Sequence, residues 1–207
     1  MIYLEDCRET LKRDLEYDYI LCSPPDYDEV GLDPKKDSYS EFLKTWIPLI
    51  KPKNNLVSIC MTDRKADATI YSKHIDVINT MKENNWTLKT HKIWVKSTGI
   101  NMYRLNYMNL MTFKRNKSKV NLIKEFKPDV FVDEQPHKYK GYGFGMSLDV
   151  CSTLIKEHTK ENDIVYDPFM GSGTTAIACI QSNRKYLGSE ITEDYYKLSL
   201  QRIEEAK

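Results

Sequence analysis

The clearest chemical signal in the sequence is a glycine-rich stretch near the C-terminus, D-P-F-M-G-S-G-T-T, which begins at Asp167. A short β-rich run precedes the stretch, and a helical pattern follows it. Gly171 and Gly173 allow a tight turn and a close approach of the backbone to a ligand. Glu190 follows Gly171 by 19 residues, the distance at which an acidic side chain grips ribose hydroxyls in nucleotide-binding βαβ units. The stretch therefore predicts a nucleotide-type ligand.

The same glycines also match a second kind of site. Gly171, Gly173 and Ala176 fit the G-x-G-x-x-A dinucleotide fingerprint, so an NAD-dependent oxidoreductase has to be considered. In an NAD domain the fingerprint opens the sheet, and further βα units follow it. Only 17 residues follow Glu190, which is enough for one helix. We therefore expect an α/β sheet whose other strands come from upstream, which disfavours the oxidoreductase.

A second motif, S-P-P-D-Y, lies near the N-terminus directly after an apolar run. Its residues are Ser23, Pro24, Pro25, Asp26 and Tyr27. Prolines fix φ and have no N–H, so the carbonyls of this turn are aimed rigidly outward. The carboxyl end of a strand is where α/β sheets bind ligands, and rigid acceptors there suit a substrate amino group. The alternative is that the prolines merely end a strand.

A basic stretch separates the two motifs. From residue 84 to residue 124 the chain has nine Lys or Arg and no Asp or Glu, although the net charge of the whole chain is only +1. Trp86, Trp94, Tyr103, Tyr107 and Phe113 are interleaved with these cations. Cations neutralise phosphates and aromatic rings stack on bases, which favours nucleic-acid binding over a solvated strand face with core aromatics. The candidate DNA contacts are Lys96, Arg104, Lys114, Arg115, Lys117 and Lys119.

The elements that must position these residues alternate between strand and helix patterns, which indicates an α/β fold. A length of 207 residues, with 41% apolar and 29% charged residues, suits a single globular domain and excludes bulk disorder. The predicted strands are Met1–Leu4, Tyr19–Cys22, Leu56–Met61, Thr87–Val95, Leu105–Phe113, Ile164–Asp167 and Tyr186–Glu190. The predicted helices are Arg8–Leu15, Ser38–Ile50, Lys65–Asn84, Leu148–Lys160, Thr174–Ser182 and Glu193–Glu205.

The cysteines and histidines indicate neither a disulfide scaffold nor a metal site. Five cysteines are an odd number without C-x-x-C spacing, and the four histidines are scattered. The N-terminus lacks the pattern of a secretory signal, and no apolar run is long enough to span a membrane. We therefore expect a protein that is cytoplasmic or located wherever the DNA resides, is not secreted, and has no metal and no membrane association.

Together, D-P-F-M-G-S-G-T-T and S-P-P-D-Y resemble motifs of the S-adenosylmethionine-dependent amino DNA methyltransferases, which methylate cytosine N4 or adenine N6. The first stretch is similar to their cofactor loop and the second to their catalytic S/D/N-P-P-Y/F/W motif. The catalytic motif comes first here, which is the permuted order of the family's beta group. The resemblance implies a Rossmann-like, mostly parallel sheet with an antiparallel strand, helices on both faces and a circularly permuted strand order. It also implies a single domain over residues 1–207, a small basic target-recognition insert at about residues 97–146, and a place in restriction–modification.

The resemblance also implies roles for individual residues. Ser23, Pro24 and Pro25 would orient the target amine, and Tyr27 would stack on a flipped base. Asp6 would face the cofactor adenine, and Glu190 would accept from its ribose hydroxyls. The remaining cofactor contacts would be Cys22, Ser23, Asp167, Pro168, Phe169, Gly171, Ser172, Gly173 and Thr174.

The sequence departs from the family at two places. The family has its aromatic residue directly after the second proline, whereas Asp26 stands there and Tyr27 comes one position later. The loop bulges so that Tyr27 still stacks, or another residue supplies the stacking face and Asp26 acts on the amine, or catalysis is impaired. Before the cofactor strand, Ser147 and Leu148 replace the family's usual Lys-Pro.

The resemblance implies methyl transfer to DNA, with cytosine N4 favoured because serine before the two prolines is commoner in that branch. Adenine N6 is the alternative substrate. Two further alternatives are an RNA or other small-substrate methyltransferase that uses the same site, and a non-catalytic DNA-binding relative. A homodimer is expected by family analogy alone.

Overall fold

The computed structural model describes residues 1–96, 105–119, 128–132 and 145–206. Eight strands form the main sheet, and two more form a separate hairpin. The strands are β1 (Ile2–Leu4), β2 (Tyr19–Cys22), β3 (Leu56–Met61), β4 (Arg64–Ala66), β5 (Thr69–Tyr71), β6 (Trp86–Val95), β7 (Tyr107–Arg115), β8 (Val130–Val132), β9 (Ile164–Asp167) and β10 (Lys185–Glu190). The helices are α1 (Cys7–Lys12), α2 (Ser40–Trp46), α3 (Lys73–Glu83), α4 (Leu148–His158), α5 (Thr174–Gln181) and α6 (Glu193–Glu205), with short 3₁₀ turns at Asp28–Val30 and Ile47–Leu49.

The strand order is β1-β10-β9-β2-β3-β7-β6-β8. The first five of these strands are mutually parallel, β7 is antiparallel to both of its neighbours, and β8 is parallel to β6. The chain leaves β9 towards β10 on one side and leaves β2 towards β3 on the other. The gap between β9 and β2 is therefore a topological switch point, where open α/β sheets bind ligands. The predicted mostly parallel sheet with an antiparallel strand is confirmed.

Both faces of the sheet are covered, as predicted. Side chains alternate along a strand, so Ile20 and Cys22 of β2 pack with α1, α2 and α3, whereas Tyr19 and Leu21 pack with α4 and α5. The four residues are fully buried. A third apolar cluster joins α5 and α6 beside β1. This two-sided burial is why β2 is apolar at every position rather than at alternate ones.

The predicted helix over Lys65–Asn84 is wrong in its first third. The chain instead forms the β4–β5 hairpin, and α3 begins only at Lys73. The hairpin turn places Asp67 and Ala68 at positive φ, 48° and 58°, which matches the tight turns that join antiparallel strands. The hairpin matters for the site because its first residue, Arg64, faces the cavity described below.

The basic stretch forms sheet strands, and its aromatics are mostly core residues. Trp86 and Phe113 are buried among apolar side chains, with about 1% exposure each. The expectation that they offer stacking faces to bases is therefore wrong, since both rings are covered. The described part of the predicted recognition insert, β7 and β8, belongs to the main sheet. The rest of that insert, with Arg104 and Tyr103, lies outside the described residues, and the domain division stays a prediction.

Candidate functional site

A cavity of about 930 Å³ opens at the carboxyl edge of the sheet, over the switch point. The ends of β1, β2, β3, β9 and β10 all reach it, because these strands are parallel. Its lining includes Ser23 from the N-terminal motif and Gly171 from the C-terminal motif. Two stretches separated by more than half of the chain therefore share one cavity.

The glycine turn is fastened to the end of β10. The Gly171 amide donates to the Glu190 carboxylate at 2.7 Å, and the Thr192 amide donates to the same carboxylate at 2.8 Å. Glu190 is buried but lines the cavity. A carboxylate has about four acceptor positions, so two backbone bonds leave capacity for ligand hydroxyls. The predicted acidic partner of the glycine turn thus lies beside it.

Asp167, at the end of β9, is an unusual carboxylate. It accepts from the Thr175 hydroxyl at 2.6 Å and from the Phe169 amide at 3.0 Å. Burial raises the pKa of Asp167 to about 7, against the lowering effect of these two hydrogen bonds. Asp167 and Glu190 therefore give one end of the cavity an acidic character suited to a cationic or hydroxyl-rich ligand.

Gly173 is structural rather than ligand-facing. It lies outside the cavity lining, and its φ is +84° at the start of α5. A Cβ at this position would lie 3.1 Å from Cβ of Ser199 in α6. The assignment of Gly173 as a cofactor contact stays a prediction. The glycine allows the left-handed turn and the close packing of α6.

Arg202 of α6 is a loop-positioning residue that the sequence patterns did not reveal. Its guanidinium donates to the backbone carbonyl and, at 2.9 Å, to the hydroxyl of Ser172. It also lies 3.4 Å from the Thr174 hydroxyl. Ser172 and Thr174 are buried, and both line the cavity. The only sequence signal was a cation in the last turn of a helix, which has many ordinary explanations.

The remaining predicted cofactor residues divide between the cavity and the core. Pro168 and Phe169 line the cavity, and the Phe169 ring packs edge-on against Trp46, with centroids 5.2 Å apart. Asp6 also lines it, caps α1 through the Arg8 amide and holds the Arg8 side chain. Cys22 does not line it, because its side chain points into the core beneath the sheet and is fully buried. The assignment of Cys22 as a cofactor contact stays a prediction.

The S-P-P turn continues directly from β2 into the cavity wall. Ser23, Pro24 and Pro25 all line the cavity. The Pro25 carbonyl accepts from the Tyr39 hydroxyl, which holds the turn from behind. Within the described part of the chain, the Ser23 hydroxyl and the Pro24 carbonyl have no hydrogen-bond partner. These two acceptors are therefore available to a ligand.

Asp26 is the centre of a charged cluster. Its carboxylate lies 2.8 Å from Lys73 and 3.1 Å from Arg64, and it accepts from the Tyr27 amide at 2.8 Å. Lys73 is buried, with 4% of its side chain exposed, and its ammonium also lies over the Tyr39 ring. Burial raises the pKa of Asp26, but Lys73, the Tyr27 amide and Arg64 outweigh it, so the net pKa lies below its ordinary value.

Tyr27 does not reach the cavity. Its ring is 4% exposed and packs against the Tyr39 ring, with centroids 5.2 Å apart. Burial raises the pKa of Tyr27 to about 12. The expected stacking of Tyr27 on a substrate base does not fit this position, because the ring packs against Tyr39 and lies outside the cavity lining.

Most of the predicted DNA contacts lie far from the cavity. Lys114 pairs with Leu56 at the start of β3, whereas the cavity is at the end of β3. Arg115 donates to the Ile50 carbonyl and stacks on Trp86, and Lys117 and Lys119 follow it at the same end. Lys96 is the exception, since it lines the cavity. The basic residues were predicted to form one DNA contact, but β7 places Lys114 and Arg115 at the end of the sheet opposite Lys96.

Sequence reasoning missed several residues that line the cavity. They are Trp46, Asp63, Arg64, Lys65 and Lys73. Asp63 is buried and accepts from the His74 backbone amide at 3.0 Å and contacts its ring at 2.7 Å. Lys65 and Lys73 fell inside a predicted helix, and Arg64 stood directly before it. Their position after β3, the strand next to β2, was the available signal.

The described residues contain neither a metal-ligand cluster nor a membrane-spanning helix. Across the described ranges, no group of three or more His, Cys, Asp or Glu is arranged to hold a metal ion. No helix within those ranges is long and apolar enough to cross a membrane.

Known proteins resemble this chain in the part that carries the glycine turn. Residues 124–201 match a family model described as DNA methylase. A segment of 54 residues, 24% of the chain, is 50% identical to the orphan methyltransferase M.BamHII of Bacillus amyloliquefaciens. Such matched segments span about a fifth of the length of the curated relatives.

Solved structures resemble the chain over nearly its full length. The M1.HpyAVI–SAM complex aligns with a TM-score of 0.72 and 25% identity, and the match covers 98% of each chain. PvuII DNA methyltransferase, cytosine-N4-specific, aligns with a TM-score of 0.78 and 13% identity over 99% of this chain and 90% of that one. The second likeness concerns the fold alone. The chain therefore shares the Rossmann-like fold of these solved methyltransferases over nearly its full length, and over residues 124–201 its sequence resembles a DNA methylase family.

Proposed function

We propose that this protein transfers a methyl group from S-adenosyl-L-methionine to an exocyclic amine of a DNA base. One observation carries the proposal: the Ser23–Pro25 turn and the Asp167–Thr175 loop line one cavity at the switch point of the sheet. A cofactor loop and an amine-accepting turn have to be adjacent for direct transfer. The DNA methylase match and the M1.HpyAVI–SAM likeness support the same assignment.

The residues at the cofactor end of the cavity fit S-adenosylmethionine. This ligand is cationic and carries ribose hydroxyls. The buried carboxylates of Asp167 and Glu190 supply acceptors, and the left-handed Gly171 has an open approach, since its Cβ position would meet only one backbone oxygen at 3.8 Å. The Trp46 indole N–H is buried with no partner among the described residues, and Trp46 lines the cavity. A volume of about 930 Å³ is within the range of ligand pockets.

The main contribution of the protein to this reaction is to position the reacting groups. When bound, S-adenosylmethionine supplies a methyl group on a positively charged sulfur. The Ser23 hydroxyl and the Pro24 carbonyl accept hydrogen bonds from the two protons of the target amine, which localises the nitrogen lone pair. The rigid prolines would hold this nitrogen for in-line attack on the methyl carbon, whose bond to sulfur would break as the nitrogen–carbon bond forms, and the amine would then release one proton to water. No covalent enzyme intermediate is required, and all five cysteine thiols are buried.

The substrate is DNA, with the target base taken out of the duplex stack to reach the cavity, which costs a few kcal/mol. Cytosine N4 is the favoured acceptor and adenine N6 the alternative. Serine before the two prolines favours cytosine by family resemblance. The protein acts where the DNA resides, without metal, and a homodimer and the circular permutation stay predictions.

Incubation of the protein with unmethylated DNA and S-adenosylmethionine, followed by nucleoside mass spectrometry, tests the function. We expect N4-methylcytosine, or N6-methyladenine if the alternative acceptor is correct. A parallel incubation with RNA distinguishes the RNA methyltransferase. Binding of DNA without any methyl transfer would instead favour the non-catalytic relative. Sequencing of the modified positions gives the recognition sequence.

Replacement of Ser23 tests the proposed amine contact. We expect Ser23→Ala to lower kcat by about 100-fold, because removal of a group that orients the reacting atoms typically has an effect of this order. Binding of S-adenosylmethionine, measured by isothermal titration calorimetry, should stay within about twofold of the wild type. Full turnover in Ser23→Ala would remove this hydroxyl from the mechanism.

A further inference from the structure

The sequence motif does not identify the residue that stacks on the target base, because Asp26 occupies the position where the family has an aromatic residue. Tyr27 is buried against Tyr39 and lies outside the cavity. Asp26 itself is engaged by Lys73, Arg64 and the Tyr27 amide. A carboxylate that is fully engaged by cations has little capacity left to act on a neutral amine. The S-P-P-D-Y motif therefore contains no stacking face of its own.

Arg64 is placed to supply that face. It lies three residues after β3, lines the cavity, and has 37% of its side chain exposed. Its Nη1 lies 3.1 Å from Asp26 and 3.5 Å from Asp28, so one edge of the guanidinium is held by carboxylates. Its Nε is buried and has no hydrogen-bond partner among the described residues. The side chain is thus fixed in orientation while still having one unsatisfied donor.

The anchoring of Arg64 is unusually rigid for a surface cation. Asp26 is tied to Lys73, the first residue of α3, whose side chain is 4% exposed. Arg64 also stands opposite Tyr71 in the β4–β5 hairpin, so its backbone position is set by strand pairing. Because the Arg64 side chain is already fixed by its carboxylate partners in the free protein, it loses less conformational entropy when a ligand binds than a free surface side chain would.

We propose that Arg64 takes the place of the family's aromatic residue and stacks its guanidinium plane on the extruded target base. Guanidinium groups are planar and weakly hydrated, and they stack on bases as aromatic rings do. This inference rests on the proposed function, because it concerns the substrate of the same cavity.

Two substitutions separate stacking from charge. Arg64→Ala removes both the plane and the charge, whereas Arg64→Lys keeps the charge and removes the plane. We expect both variants to lower kcat/KM for DNA by about 10-fold or more, since a stacking contact of this kind contributes about that factor. Lys35→Ala is the matched control, because it removes one positive charge that is paired with Asp67 in the turn of the same hairpin, and Lys35 lies outside the cavity lining. We expect it to lower kcat/KM by less than about threefold.

A second measurement reports on the base without turnover. A duplex with 2-aminopurine at the modified position, mixed with cofactor-free protein, should gain fluorescence when the base leaves the stack. We expect this gain with the wild type and with Lys35→Ala, and a loss of most of it with Arg64→Ala and Arg64→Lys. Thermal melting and calorimetric binding of S-adenosylmethionine establish that each variant is folded.

The outcomes discriminate clearly. Wild-type behaviour of Arg64→Lys, or an equal loss in Lys35→Ala, would show that charge alone matters and would overturn the inference. Wild-type behaviour of Arg64→Ala would overturn it as well. If the wild-type protein transfers no methyl group, the proposed function and this inference are overturned together. If the wild-type protein is active and the Arg64 variants are equally active, only this inference is overturned.

Discussion

At the scale of single residues, Asp167 combines burial with a place in the cofactor loop. Because its pKa in the folded protein is raised to about 7 from 3.8, the folded state binds a proton that the unfolded state releases. The free protein therefore loses stability as the pH rises from about 4 to about 7, and the loss is complete above about 7. The same burial makes the ionised form receptive to a cationic ligand.

The variant Asp167→Asn removes this titration while keeping an acceptor for Thr175. We expect the stability of Asp167→Asn relative to the wild type to increase between pH 4 and pH 7, by about 2–4 kcal/mol, and to stay constant above pH 7. Urea denaturation of both proteins at several pH values measures the difference between their free energies of unfolding. The other titrating groups contribute equally to both proteins, so their contributions cancel in this difference. A difference that does not change with pH would contradict the raised pKa.

Asp26 shows the opposite sign. Its pKa in the folded protein is below 3.8, so the stabilisation it contributes is present above that pH and is lost as the pH falls through the folded value. Asp26→Asn leaves the buried Lys73 ammonium without its carboxylate, and we expect a loss of about 2–3 kcal/mol at pH 7 by urea denaturation. Asp28→Asn is the control, since Asp28 is 68% exposed, and it should change stability by less than about 0.5 kcal/mol. Equal losses in the two variants would argue against the role of Lys73.

At the scale of secondary structure elements, the glycine turn is determined by its contact with α6 as much as by the ligand. Gly173 has a φ of +84°, and a Cβ there would lie 3.1 Å from Cβ and 3.2 Å from Cα of Ser199. Gly173→Ala thus combines backbone strain with displacement of α6, and we expect a loss of about 2–4 kcal/mol in thermal unfolding. Gly31→Ala has similar backbone strain, with a φ of +74°, but nothing within 4 Å, so it should lose only about 1 kcal/mol. Similar losses in both variants would mean that the packing of α6 is not limiting.

At the scale of the whole molecule, β7 separates two groups of cations. Met108 lines the cavity, whereas Arg115 lies seven residues further along the strand, about 24 Å away. We expect Lys117→Ala/Lys119→Ala to leave the DNA affinity and its salt dependence nearly unchanged. Lys96→Ala, at the cavity, should reduce the slope of log affinity against log salt by about one. Fluorescence anisotropy at several salt concentrations measures both, and a larger change in the double variant would place the duplex at the far end of the sheet.

The sequence by itself determined the elements whose signals are local. The bounds of β2, β3, β9 and α6 were predicted to the residue, because strands buried on both faces are uniformly apolar and because Glu193 and Asp194 mark the positive end of the last helix. The meeting of the S-P-P turn with the glycine turn also followed, since the carboxyl ends of parallel strands share an edge. The hairpin at residues 64–71 did not follow, because strands of three residues are too short to show an alternating pattern.

Only the tertiary structure decided which side chains face the cavity. The pairing of Asp26 with Arg64 and Lys73 spans 38 and 47 residues of sequence, and the inward turn of Tyr27 depends on Tyr39. The separation of Lys96 from Lys114 and Arg115 depends on the direction of β7 in the sheet. Such choices are made by contacts between elements distant in the chain, whereas residue types and local spacing report only on the element to which a residue belongs.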